Sequence, residues 1–306
     1  MSKYLAMALD PIHIGTGGYQ IGRVDNVIVR EPATNLPKIP GSSIAGTTRA
    51  YTTYQEIEKE GSEAKIDCAG QDAEVSKEAA EGHCGKCIVC KSFGYSKKDD
   101  GGSRQGLVHF SDAQILLFPV STRLGPAWVT APMILSDFGA SPEDNNIPAK
   151  DKIIVGPKFG DELSLNLGWL NLLIDKDKTC PSIELDCFGT NKKELISGRI
   201  IVVPDNLISQ IVNSNLEVRT SVSIDPRTGA GKDGALFTSE AIPRSTILWF
   251  EMNINNPHYF GYEPTVDEVK SAVKSGFSLF ETLGVGGMVT RGFGRIIIEE
   301  VTTNGV

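Results

Sequence analysis

Four of the six cysteines fall within 23 residues: Cys68, Cys84, Cys87 and Cys90. Zinc takes four soft ligands in a tetrahedron, and a short Cys-x-x-Cys turn supplies two of them. The turns at 84–87 and 87–90 overlap, so the fourth ligand must come from a distance, and Cys68 fits. His83 competes for that place, but its adjacency to Cys84 strains simultaneous ligation. Disulfides are disfavoured in a cytosolic chain. A redox Cys-x-x-Cys belongs to a βαβ unit that the pattern here lacks. A structural zinc is therefore expected, and its removal should loosen residues 61–105 and leave the rest folded. Cys180 and Cys187 stand apart and read as buried hydrophobes.

A second constellation lies near the C-terminus, where Gly284, Gly286, Gly287, Gly292 and Gly294 surround Arg291, with Arg295 following. Glycine-rich loops expose backbone N–H groups that can cradle phosphate. The loop follows a helical pattern and opens a strand, the reverse of a dinucleotide fingerprint, and no Gly-Lys-Ser/Thr of a nucleotide loop is present. A tight turn and a phosphate contact both fit it. Asp25, read alone, is either a loop acid or a working carboxylate. His13 sits in a glycine loop at residues 11–18, His109 in a strand and His258 in a loop without an assigned role.

The elements that must hold these groups follow from periodicity. Residues 4–10, 107–118, 128–135, 163–174, 198–203, 246–254 and 294–301 read as strands, with an expected bulge near Ser111 and extended chain at 21–30. Ser42 or Ser43 can cap a helix running to about Lys59, and Asp205 one running to about Asn213. Residues 265–281 give the clearest amphipathic helix, with Val266, Val269, Ala272, Val273, Phe277 and Phe280 on one face. Residues 217–242 form a long hairpin around a turn-rich tip. Strands, hairpins and helices intermixed indicate an α+β chain with an antiparallel or mixed sheet.

At 306 residues and 33.0 kDa, the chain can bury a core without staples. Its longest apolar runs fall far short of a membrane span, and residues 1–10 lack the layout of a signal peptide, so a cytoplasmic protein without membrane partners is expected. The net charge of −8 is local: residues 56–82 hold nine acids and three bases, a net of −6, which leaves −2 for everything else. A basic groove for nucleic acid is thus compatible with the acidic total.

Several stretches, taken together, resemble one family. The C-terminal glycine loop is similar to the signature of the RAMP (repeat-associated mysterious protein) superfamily of CRISPR RNA-binding proteins. Residues 11–17 (PIHIGTG), 24–31 (VDNVIVRE) and 37–49 (PKIPGSSIAGTTR) resemble the N-terminal block of type III CRISPR backbone subunits. Residues 106–120 (GLVHFSDAQILLFPV) and 198–205 (GRIIVVPD) resemble the type III-B subunit in particular. The collinear order of the blocks covers most of the chain outside residues 56–105.

The resemblance implies a single RNA-binding domain over 1–306, with a ferredoxin-like (RRM-like) palm and a thumb, for which the hairpin at 217–242 is the candidate; the polar, acidic, cysteine-bearing residues 61–105 read as a zinc-bearing insertion in it. It implies copies assembling along a guide CRISPR RNA with other effector subunits, and cleavage of paired target RNA at regular intervals. The implied chemistry is attack by the target's own 2′-hydroxyl, with a divalent ion (Mg or Mn) neutralising charge; Asp25 matches the essential aspartate, as metal holder or base. Expected RNA contacts are His13, Gly15, Ser42, Ser43, Arg49, Gly286, Gly287 and Arg291. Ala45 stands where the family often has lysine, which leaves Arg49 a helical turn later. Two rival readings of the same family are a scaffold that only holds guide RNA and a guide-processing ribonuclease that would use His13.

Overall fold

The first strand is apolar on both faces, which puts it in the middle of a sheet. The computed structural model describes residues 1–17, 24–70, 83–95, 103–140 and 143–301, and in it β1 (Ser2–Ala8) is buried from Tyr4 to Ala8. A strand covered on both sides has no use for polar alternation.

Along the chain follow β2 (Lys38–Ile39), α1 (Gly41–Ile57), α2 (Ile88–Phe93), β3 (Val108–Phe110), β4 (Ala113–Thr122), β5 (Gly125–Thr130), α3 (Pro132–Phe138), β6 (Lys152–Val155) and β7 (Ser164–Leu167). Then come β8 (Leu170–Ile174), α4 (Thr190–Ser197), β9 (Ile200–Val202), α5 (Asp205–Ser214), β10 (Glu217–Ile224), β11 (Gly231–Ala241), β12 (Ile247–Ile254), α6 (Val266–Phe277) and β13 (Ile296–Val301). Eleven strands make one mixed sheet in the order β13-β1-β12-β4-β5-β9-β6-β8-β7, with β2 beside β4 and β3 beside β12. The pairs β5–β9 and β6–β8 are parallel. This is the α+β architecture with a mixed sheet that the pattern predicts. β10 and β11 leave the sheet as a separate antiparallel ribbon with a bulge between Val222 and Ile224.

α1 and α6 pack against each other. A Cβ on Gly276 of α6 would lie 2.7 Å from Thr52 Oγ1 and 2.9 Å from Thr52 N, so the crossing depends on glycine. Below them Tyr4 stacks on Phe250 at 5.4 Å and meets the edge of Phe277 at 5.3 Å, while Tyr51 meets Phe280 at 5.1 Å. A capping box between Thr265 and Glu268 opens α6.

Several expectations need correction. Residues 128–135 split at Pro132: Pro fits the first turn of a helix, so β5 ends at Thr130 and α3 begins. Residues 163–174 fold into the β7–β8 hairpin, because Gly168 takes φ +65°. The expected bulge near Ser111 is a full break between β3 and β4. Asp205 does not cap α5 with its side chain; its carboxylate accepts from Met133 N at 2.9 Å, in the first turn of α3. Neither Ser42 nor Ser43 caps α1, which starts at Gly41 after Pro40. Residues 24–30 carry isolated bridges at Asn26, Ile28 and Arg30, and the rest of the extended chain expected at 21–30 lies outside the described residues.

Candidate functional site

Four segments converge at the root of the ribbon. The loop after β1 is bridged to the end of β11 between Ile12 and Ile242, and to the next extended segment between Gly15 and Ile28. The glycine loop closes from the other side: Gly287 N donates to His13 O at 2.9 Å and Gly294 N to Pro11 O at 2.8 Å. A Cβ on Gly286, at φ +85°, would stand 2.5 Å from both His13 O and Ile14 Cδ1. Glycine at this position is what lets the two loops touch.

Asp25 is exposed on this convergence and held in one orientation. Its Oδ2 accepts from Thr238 N at 2.7 Å and from Thr238 Oγ1 at 2.8 Å, and its own N–H donates to Thr238 Oγ1 at 3.0 Å. Among the described residues, no hydrogen bond reaches Oδ1. The Thr238 backbone N–H, helped by the hydroxyl, holds the carboxyl below its ordinary value. An acid so stabilised in its charged form is a poor proton acceptor at neutral pH. Behind it, Asn26 N donates to Thr238 O at 3.0 Å and Glu240 N to Asn26 O at 2.9 Å. The shielded pair Arg30–Glu240, at 2.7 Å, ties the same segment to β11, and Arg30 Nε donates to Asn213 Oδ1 at 2.8 Å on α5.

The expected RNA contacts separate into groups. Gly15, Gly286, Gly287 and the exposed Arg291 lie at the convergence, and Arg291 stands over the Phe237 ring of β11 at 5.9 Å. Gly287 spends its N–H on His13 O, so the outward feature of the loop is the Arg291 guanidinium. Arg295 pairs with Asp10 and is not an open anion contact. His13 is buried under the loop at 7% exposure, with Nδ1 2.6 Å from Glu240 O. Donation to that carbonyl fixes the proton on Nδ1 and makes His13 a strut between the loop and β11.

Ser42 is exposed and Ser43 half-buried on the first turn of α1. The first amide of that turn already faces an acid: Asp112 Oδ1 accepts from Gly41 N at 2.8 Å, and Asp112 Oδ2 lies 2.6 Å from Lys38 Nζ. Burial raises the Asp112 carboxyl, and Lys38 with the Gly41 N–H outweigh that and lower it. Arg49 is a correction. It is 4% exposed and faces the cysteines, so it is not available to RNA in this arrangement.

The four cysteines do come together. The Sγ atoms of Cys68, Cys84, Cys87 and Cys90 lie within 4.8 Å of one another, and Cys84 Sγ to Cys90 Sγ is 3.8 Å. Four sulfurs about 2.3 Å from a tetrahedral zinc stand roughly 3.8 Å apart, so the set is close to the required spacing. Backbone amides support it: Cys87 N donates to Cys84 Sγ at 3.3 Å and Cys90 N to Cys87 Sγ at 3.4 Å. Hydrogen bonds from Cys87 and Cys90 push the Cys68 thiol down, while the same contact with Cys68 pushes Cys87 up. Four thiols so crowded suit a dication, which offsets the charge of their ionised forms. Residues 71–82 and 96–102 of the proposed insertion lie outside the described residues.

Sequence reasoning missed Thr238, Glu240, Arg30 and Asp112. A threonine in a strand and an acid after one carry no signal in their spacing; each acts on a residue 70 or more positions away.

Comparison with known proteins bears on the family and the fold. The family model described as the RAMP superfamily matches residues 6–297. The chain is similar to the "CRISPR system Cmr endoribonuclease Cmr4" of Pyrococcus furiosus, with 28% identity over 324 residues, covering 100% of this chain and 98% of that protein. It is 33% identical over 94 residues to the "CRISPR system Cms endoribonuclease Csm3" of Methanothermobacter thermautotrophicus, covering 30% of this chain and 31% of that one. Two solved structures share the fold. One is a type III-B Cmr-beta complex bound to cognate target RNA, with TM-score 0.67, 16% identity and coverage of 98% and 96%. The other is oligomeric Cmr4 from Pyrococcus furiosus, with TM-score 0.57, 21% identity and coverage of 99% and 100%.

Proposed function

The chain belongs to the RAMP superfamily, and from that footing we propose that it is a backbone subunit of a type III CRISPR effector that holds guide RNA and cuts the target RNA paired with it. The observation that carries the proposal is Asp25: an exposed carboxylate, clamped through one oxygen by Thr238 and open at the other, where the glycine loops meet the ribbon. Its partners would be guide RNA, target RNA, further copies of the chain and other effector subunits, in the cytoplasm. Among the described residues, no helix is long and apolar enough to cross a membrane.

The order β13-β1-β12-β4, antiparallel throughout, with α1 between β1 and β4 in sequence and α6 between β12 and β13, supports a ferredoxin-like palm. The β10–β11 ribbon would be the thumb that splays a target nucleotide from the duplex. A nucleotide so displaced can bring its 2′-hydroxyl in line with the adjacent phosphate. Zinc would be held by Cys68, Cys84, Cys87 and Cys90. Asp25 Oδ1 offers one oxygen to a divalent ion, Mg or Mn, whose other ligands would have to include target phosphate; when bound, that ion would neutralise charge developing on the phosphate. The lowered carboxyl of Asp25 favours this electrostatic role over proton abstraction.

A complex assembled from this chain, its partner subunits and a guide should cut complementary RNA at regular intervals and leave a 2′,3′-cyclic phosphate. Products ending in 3′-hydroxyl, or no cleavage, would sink the proposal, and the latter would favour the scaffold reading. The guide-processing alternative is weakened by His13, whose ring is buried and tied through Nδ1 to Glu240 O. Processing of repeat RNA by the isolated chain would revive it.

Arg291→Ala tests the glycine loop. Each phosphate neutralised on B-DNA or single strands contributes about 0.7–0.9 to the slope of log K against log salt. Loss of Arg291 should weaken guide binding irrespective of sequence and flatten that slope by about one contact, roughly 0.7. An unchanged slope would mean that the loop serves only as a turn.

A further inference from the structure

Arg49 belongs to α1, which packs on α6, yet its guanidinium turns into the cysteine cluster. Nε donates to Cys68 O at 2.7 Å, and Nη2 lies 2.8 Å from His83 Nδ1. A guanidinium has no acceptor, so His83 Nδ1 must accept, and the neutral ring then carries its proton on Nε2. Neither nitrogen is left to ligate a metal, which makes His83 an outer partner beside the four sulfurs. Among the described residues no carboxylate pairs with Arg49. At 4% exposure Arg49 is a buried cation bonded to the backbone of one of the cluster's own residues.

We infer that Arg49 is a positioning residue for the cysteine cluster: a tetrathiolate zinc is its counter-charge, and its bond to the Cys68 carbonyl fixes the distant ligand. The inference rests on the zinc reading given above. Zinc with four thiolates carries a net charge of −2, and a buried guanidinium beside it offsets half of that. Without the metal, Arg49 is, among the described residues, a buried cation facing no opposite charge, an arrangement that is strongly destabilising. Metal binding and the stability of α1 are then one equilibrium. This reverses the expectation that zinc loss loosens only residues 61–105, because the cluster is anchored on the helix that carries the α6 crossing.

The test uses the full chain and reads zinc and folding, not cleavage. Metal analysis of the parent should find about one zinc per chain. A parent without zinc sinks the metal reading and this inference with it; the remaining outcomes bear on Arg49 alone. In Arg49→Met, zinc transfer to a chromophoric chelator should be at least about tenfold faster than in the parent, the usual scale for losing an outer partner of a metal site. Removing zinc should also lower the melting temperature of helical circular dichroism more in the parent than in Arg49→Met, since methionine needs no counter-charge. Equal transfer rates, or equal shifts on zinc removal, would overturn the inference. Should Arg49→Met fail to fold, Arg49→Lys keeps the charge but loses the fork that reaches both Cys68 O and His83. Its zinc should transfer a few-fold faster than the parent's, and parental kinetics in that variant would overturn the inference equally.

Discussion

Asp25→Asn is expected to abolish target cleavage and leave guide and target binding nearly intact. The clamp explains why this substitution is clean. Both Thr238 donors converge on Oδ2, and the single carbonyl oxygen of asparagine can accept both. The change therefore falls on the open side, where an NH2 replaces an anionic oxygen and repels a cation. Loss of one preorganised group at a reacting phosphate typically slows a reaction by about 10²–10³-fold, and single-turnover cleavage should fall on that scale, with little recovery in added magnesium. A change of less than a few-fold would make Asp25 a loop acid; loss of binding as well would point to failed assembly. Thr238→Val is the graded companion. It keeps the backbone donor and the branched shape that suits a strand but removes the hydroxyl, so the fall should be smaller, about tenfold. Because the carboxyl is held below its ordinary value, it loses its charge only as pH drops below the usual carboxylate range. An acid limb of the cleavage profile within or above that range would belong to another group.

Gly286→Ala should be among the most damaging single substitutions on the glycine loop. At φ +85° any side chain is strained, by about 1–2 kcal/mol, and the new Cβ would meet a carbonyl oxygen and a methyl at 2.5 Å. Overpacking adds roughly 1–3 kcal/mol. The backbone of residues 13 and 14 cannot yield without disturbing the His13 strut and the segment that carries Asp25. Thermal unfolding should shift down by about 5–10 °C, and guide binding should weaken with it. Gly46→Ala is the control: it lies in α1 with nothing within 4 Å of the added Cβ, and should raise stability by up to ~1 kcal/mol. A Gly286→Ala melting point within a degree of the parent would mean that the two loops do not depend on their contact.

How much of this could be read from the chain depends on the range of each interaction. The knuckle at Cys84, Cys87 and Cys90 is local, since a tight turn fixes ligand spacing within a few residues. The helix at α6 was legible because its apolar period is written in neighbouring positions, and the hairpin at β10–β11 because its tip is a run of turn formers. The breaks at Pro132 and Gly168 were legible in principle, because each is a one-residue constraint on the backbone.

What only the tertiary structure decided is where side chains go once elements meet. Arg49, matched to an RNA contact, is turned into the cysteine cluster because Cys68 and His83, 19 and 34 positions further on, fold back against α1. Thr238 clamps Asp25 across 213 positions, and Asp112 occupies the helix start that two serines were expected to cap. Periodicity and spacing report on forces that act between neighbours. The charge balance of a buried guanidinium, the orientation of a carboxylate and the closeness of two glycine loops are set by contacts between distant segments, and no local pattern encodes which segments will touch.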